Sequence, residues 1–165
     1  MERKTRKHIR LQEYDYASGG VYFITVCVKD RKPILWECVG ADIIRPESVP
    51  LSQIGEIVNT AIRQIPEHYP HMIVDKYCIM PDHIHLLLSN RAEQCGRMIS
   101  APTISTVVGQ MKRWGSKQAG ISIWQKSFID RVIRNQKGYL AAWEYIENNP
   151  IKMDCADDKI DFTQM

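Results

Sequence analysis

The chain has 165 residues, with 22 Lys+Arg against 19 Asp+Glu, a net charge of +3 and 44% hydrophobic residues. This length suits one domain with a real core, and the ordinary hydrophobic content excludes a disordered chain. No apolar run approaches the ~18–20 residues of a membrane span, and the basic opening Met1–Arg10 has no apolar segment behind it, so it is no secretory signal.

In chain order, Val21–Val28 is rich in β-branched and aromatic residues, follows Gly19-Gly20 and stops at the charged stretch 29–32, which predicts a central strand. Ser52 can cap a helix, with Glu56 inside its first turn. Ile54, Ile57, Val58, Ala61, Ile62 and Ile65 then follow at helical spacing as far as Pro66. Met72–Met80 and His83–Ser89, separated by Pro81-Asp82, read as antiparallel strands. Ile104, Val107, Val108, Met111 and Trp114 predict a helix over 103–116, closed near Gly115 and Gly120. A loop and strand over 121–133 come next, then a helix over Tyr139–Asn148 stopped by Asn149-Pro150. Helices alternating with antiparallel strands make an α+β domain, a single unit over 1–165 with helices packed on one open sheet.

Charge is unevenly distributed. Residues 2–10 sum to +4, residues 112–137 to +6 and residues 154–161 to −3, so an acidic tail (154–165) masks a basic N-terminal arm (1–12) and a second basic block. That block interleaves Lys112, Arg113, Lys117, Lys126, Arg131, Arg134 and Lys137 with Trp114, Trp124 and Phe128. Such a mixture can hold phosphates and stack bases, and equally describes a solvated helix face followed by an edge strand. The five cysteines (27, 38, 78, 95, 155) include no C-x-x-C pair, which argues against a disulfide framework or zinc ribbon and fits a reducing cytoplasm. Cys27 and Cys78, inside apolar runs, read as small buried hydrophobes.

His83-Ile84-His85 carries the chemistry. In a strand, i and i+2 share a face, so the two imidazoles point outward together while Ile84 points into the core. Two neutral imidazoles from one strand make half of a divalent-metal site, although a His-x-His tripeptide can also be only an exposed strand face. Leu87 stands where a histidine-triad hydrolase needs a third His, the hydroxyls of a two-histidine phosphoesterase are missing, and no later His serves a cupin. The last helix offers further groups. Ala142, Trp143 and Ile146 fall within roughly 60° of Tyr139 and form its core stripe, whereas Tyr145 lies at its side with Asn149 as its i,i+4 neighbour. A phenol and an amide oxygen thus share one helix face, although Asn149 before Pro150 also suits a helix cap. Asp82 either orients His83 or simply forms the turn after Pro81.

Pro81–Leu88 resembles the HUH motif (His, bulky apolar, His) of single-tyrosine transposases. Trp124–Phe128, Val132–Asn135 and Tyr145–Pro150 resemble the downstream block of that family, with the REP-associated tyrosine transposases the most similar subgroup over residues 8–153. The resemblance implies a ferredoxin-like or RRM-like palm with two central histidines, His83 and His85, holding Mg²⁺ or Mn²⁺. Tyr145 becomes the nucleophile, and Asn149 stands where the broader family commonly has Gln as the third ligand. It further implies cleavage and rejoining of single-stranded hairpin DNA through a 5′-phosphotyrosine, with Lys112, Arg113, Arg131, Arg134 and the N-terminal arm as DNA contacts. The broader family often dimerises and the REP-associated group can act as a monomer, so homodimer and monomer both stay open. A hairpin-DNA-binding protein that no longer transposes and a phosphoesterase that does not use Tyr145 are the competing readings.

Overall fold

Strict alternation in the first strand decides how the layers stack. In β1 (Gly20–Cys27), Tyr22, Ile24 and Val26 enter one apolar cluster, while Val21 and Phe23 enter another on the opposite side. The computed structural model describes residues 19–37, 50–91 and 103–149. The N-terminal arm, the acidic tail and the cysteines at 38, 95 and 155 lie outside them.

β1 pairs antiparallel with β3 (His83–Asn90), which pairs antiparallel with β2 (Met72–Ile79); the other edge of β1 carries β4 (Ile129–Ile133). The strand order is β2-β3-β1-β4. The crossovers between β1 and β2 and between β3 and β4 contain helices α1 (Gln53–Arg63) and α3 (Ile104–Ala119). This β-α-β-β-α-β arrangement is the expected ferredoxin-like palm. Val58, Ala61 and Ile62 of α1 and Ile104, Val107, Val108 and Met111 of α3 pack on Tyr22, Ile24, Val26, Ile84, Leu86 and Leu88.

The second face of the sheet is also covered. Helix α4 (Gln136–Asn148) covers it, burying Ala142 and Ile146 against Phe23, Cys78, Met80 and Leu87. This explains the run Leu86-Leu87-Leu88, which would expose Leu87 in a sheet covered on one side only.

The boundaries shift for identifiable reasons. The chain makes another short helix after α1, α2 (Ile65–His68), because Pro66 sits in its first turn, where a missing N–H costs nothing. α3 runs to Ala119 and ends on Gly120, whose φ of 68° suits a glycine. α4 starts at Gln136 because the Asn135 side chain accepts the Gly138 N–H at 2.7 Å. A bulge between Val74 and Lys76 breaks the register of β2. At the start of α1, Ser52 accepts the Gly55 N–H as predicted, and a Cβ on Gly55 would lie 2.1 Å from the Leu35 carbonyl oxygen, so only glycine fits there. Among the described residues no helix is long and apolar enough to cross a membrane.

Candidate functional site

β3 puts His83 and His85 on the face covered by α4, with Ile84 fully buried on the other, as the two-residue period requires. The pair does not simply face solvent, however. His85 is only 6% exposed, stacked on Phe23 with ring centroids 5.2 Å apart. The two Nε2 atoms face each other at 3.1 Å, and each ring is held from behind. His83 Nδ1 lies 2.6 Å from Asp82 Oδ1, and His85 Nδ1 lies 2.9 Å from Thr25 Oγ1, its cross-strand neighbour. Asp82 therefore orients His83 as well as turning the chain, and Thr25 was not visible as a partner until the register of β1 on β3 was known.

These contacts set the protonation pattern. A carboxylate only accepts, so His83 Nδ1 carries the proton and its Nε2 keeps a lone pair. The Thr25 hydroxyl can donate to His85 Nδ1, leaving His85 Nε2–H to donate to His83 Nε2, or it can accept from Nδ1–H, which turns both Nε2 lone pairs toward one point where a cation could sit. Burial, reinforced by the His83 and Arg31 charges, pushes the His85 pKa down to about 3. Burial also lowers His83, against the opposing pull of Asp82. Neutral imidazoles are the form that binds metal.

A divalent ion fits this donor pair. Two nitrogen ligands about 2.0–2.1 Å from one ion and near a right angle to each other lie about 3 Å apart, close to the observed Nε2 separation. Among the described residues no three His, Cys, Asp or Glu side chains come together to hold a metal, so a third protein donor would have to be of another kind. Asn149 caps α4 in helical conformation, with its amide nitrogen buried and without a hydrogen-bond partner among the described residues. An unpaired amide nitrogen is a donor and not a metal ligand, so the case for Asn149 rests on its place one helical turn after Tyr145, where its side-chain oxygen could serve; water or substrate oxygens can fill other positions.

Tyr145 comes to the pair from its own chain. Its ring meets His85 edge-on at 5.3 Å and Phe23 at 5.8 Å, on the side of the α4 stripe buried at Ala142 and Ile146. Tyr139, expected to be structural, packs against the same small cluster and against Trp143, 6.0 Å between centroids. Lys76 of β2 fixes the helix from outside, with Nζ 2.9 Å from Glu147 and 4.5 Å from the Trp143 ring centroid.

The basic residues divide. Arg131 lies opposite Phe23 in the β1–β4 register and so shares the face of the histidines. Arg134 is exposed between β4 and α4. Arg113 is exposed on α3, the layer across the sheet from His83 and His85. Lys112 is not a free phosphate contact: its Nζ donates to the carbonyls of Gln125, Lys126 and Ser127 at 2.7, 3.4 and 3.2 Å. It ties down a loop whose carbonyls precede the first residue of β4, which is the physical reason a lysine stands there. Cys78 is buried as expected, its thiol pushed up to about 12 by desolvation. Cys27 is half-exposed rather than buried, with its Sγ accepting from Arg31 Nη1 at 3.1 Å.

No family model matches the chain. It is 34% identical to an uncharacterised Haemophilus influenzae protein over 165 residues, covering 88% of each chain. It is 30% identical to a Haemophilus influenzae protein described as a REP-associated tyrosine transposase, over 146 residues that cover 84% of this chain and 74% of the relative. The structure of a REP-associated tyrosine transposase bound to a REP hairpin superposes with a TM-score of 0.61 at 23% identity, covering 86% of this chain and 74% of that one. The chain belongs to the family of REP-associated tyrosine transposases. Its four-stranded antiparallel α+β fold is the one seen in that solved transposase.

Proposed function

We propose that the protein is a metal-dependent single-tyrosine HUH enzyme that cuts and rejoins single-stranded hairpin DNA, in the service of DNA transposition or REP-element mobilisation. The observation that carries this reading is the meeting, within one chain, of a phenol ring with two imidazoles whose Nε2 atoms converge. Kinship with a transposase family supports the substrate class, and the solved relative is bound to a REP hairpin.

His83, His85 and Asn149 would hold Mg²⁺ or Mn²⁺, which when bound supplies charge neutralisation on the scissile phosphate. Asp82 and Thr25 keep the imidazoles turned toward that ion. Tyr145, its proton lost, attacks phosphorus through Oη; the P–O3′ bond breaks, and the departing 3′ oxygen takes up a proton. The products are a 5′-phosphotyrosine and a free 3′-hydroxyl. Because the new ester keeps the phosphodiester activated, a 3′-hydroxyl can reverse the step and join strands without ATP. Phe23 and His85 pack the tyrosine ring and restrict where Oη can travel. The exposed Arg131, on the same face, would contact the strand's phosphates.

The test is to incubate labelled hairpin DNA with the protein and Mn²⁺ and separate products under denaturing conditions. A covalent protein–DNA adduct that Tyr145→Phe abolishes is expected. Binding without an adduct would instead favour a hairpin-binding protein, and cleavage surviving Tyr145→Phe a phosphoesterase.

A further inference from the structure

The Lys29–Arg31 turn that follows β1 takes no part in the chemistry assigned to His83, His85 and Tyr145. Its backbone is unusual: Asp30 and Arg31 are consecutive non-glycine residues at φ 58° and 54°. Left-handed conformation is unfavourable for L side chains and persists where surrounding contacts hold it. Here those contacts converge on the site. The Arg31 N–H donates to the Val28 carbonyl at 3.1 Å, and the Val28 N–H to the Asp82 carbonyl at 2.8 Å. Arg31 Nε lies 2.9 Å from Asp82 Oδ2, and Nη1 donates to Cys27 Sγ, on the strand position paired with His83. Asp82 gives its other oxygen to His83.

The guanidinium is therefore one carboxylate away from the metal pair, yet half in water. Its side chain is 51% exposed, against 22% for Asp82 and 16% for His83. An arginine devoted to pairing a carboxylate uses two parallel N–H groups on both oxygens. This one meets a single oxygen through Nε, because the second oxygen is engaged by His83. Among the described residues Nη2 and one Nη1 hydrogen are uncommitted, on the planar edge suited to a phosphate. Exposed Lys29 and Lys32 flank it, against the single acid Asp30, so the turn is a cationic lip beside the histidines.

We infer that Arg31 is a phosphate-contacting residue of this site, holding Asp82 with one edge of its guanidinium and a backbone phosphate of the bound DNA strand with the other. The inference rests on the strand-cleavage reading for its ligand. It gives a role to the strained turn: a relaxed turn would aim this side chain elsewhere.

The experiment measures hairpin binding on the uncut Tyr145→Phe background, with and without Arg31→Asn, a change to a residue type that tolerates positive φ. Losing one phosphate contact is expected to reduce the slope of log affinity against log salt by about 0.7–0.9. A scan of single neutral methylphosphonate linkages should reveal one position at which the protein with Arg31 intact loses affinity severalfold and the Arg31→Asn protein loses none. Unchanged slope and identical scans overturn the inference, even if metal affinity or melting temperature falls. A second measurement needs no variant: phenylglyoxal labelling of Arg31 in the wild-type protein, read by mass spectrometry, should drop severalfold on hairpin binding, and undiminished labelling rejects the contact. Adduct formation is scored separately in the wild type. A changed slope without any adduct sinks the cleavage reading and keeps Arg31 on the phosphate; an adduct with unchanged slope and scans does the reverse. Failure of the wild type to bind hairpin DNA removes both.

Discussion

The two faces of the sheet are built to different specifications. Among the described residues, nineteen buried ones form a continuous apolar layer between the sheet and α1 and α3; between the sheet and α4 six do, and the remaining area goes to His83, His85, Thr25 and Tyr145. β3 serves both at once, contributing Ile84, Leu86 and Leu88 to the first face and the histidines with Leu87 to the second. The thick face can carry the stability of the domain, so the thin face can bury imidazoles and hold a phenol beside them. If that division is real, substitutions should separate cleanly into those that unfold and those that silence.

The largest separation is expected from Tyr145→Phe, which should abolish the DNA adduct entirely while moving the urea midpoint little, since the ring contacts to His85 and Phe23 survive. A loss of fold in this variant would break the division. The converse case is Leu86→Ala on the thick face, fully buried in the larger cluster. It should cost about 2–5 kcal/mol by chemical unfolding, with the adduct yield per folded molecule retained.

Removing a group that only orients a ligand should have an intermediate effect. Asp82→Asn is expected to weaken Mn²⁺ binding roughly 10–100-fold by titration calorimetry, leaving stability within about 1 kcal/mol. An unchanged Mn²⁺ affinity would demote Asp82 to a turn residue.

Acid offers a gentler probe. A base whose folded pKa lies below its unfolded value is protonated more readily in the unfolded chain, so its contribution to stability is complete above the unfolded pKa. His85, depressed from 6.5 to about 3, and His83, also lowered, should therefore make the metal-free protein lose stability as pH falls below 6.5. The slope is up to about 1.4 kcal/mol per pH unit for each site. Urea midpoints between pH 6.5 and 5 measure it; His85→Gln should flatten the curve, and an equally steep variant would assign the acid sensitivity to other groups. The smallest effect is expected from Lys76→Ala. Loss of its partly exposed pair with Glu147 and its seat over Trp143 should cost no more than about 1 kcal/mol but lower the adduct rate by loosening α4.

The same contrast explains what could be read from the amino-acid order. Periodicity exposes whatever repeats locally, so Ser52 as a cap, the α1 stripe and the shared face of His83 and His85 were legible, as was Tyr145 beside the α4 stripe. Resemblance to a known family suggested the ligand and nucleophile roles on which the proposed function rests. Pairings across long stretches of chain were not legible. Thr25 meets His85 only through the β1–β3 register, and Arg31 reaches Asp82 only through a turn of positive φ within what reads as a charged stop after a strand. Lys112 was read from its charge alone, and charge does not reveal that three loop carbonyls await it.

The strand order has a consequence for how the protein is made. β1 leaves the ribosome before either of its partners, β3 some sixty residues later and β4 about a hundred and ten later. Thr25 must wait for His85, and both must wait for Tyr145, which comes another sixty residues on. A nascent or prematurely terminated chain therefore lacks the assembled centre, so synthesis itself keeps the proposed strand-cutting activity off until almost the whole palm has been translated. Non-local pairing of this kind slows folding as well, so the centre assembles later still than the last of its residues is made.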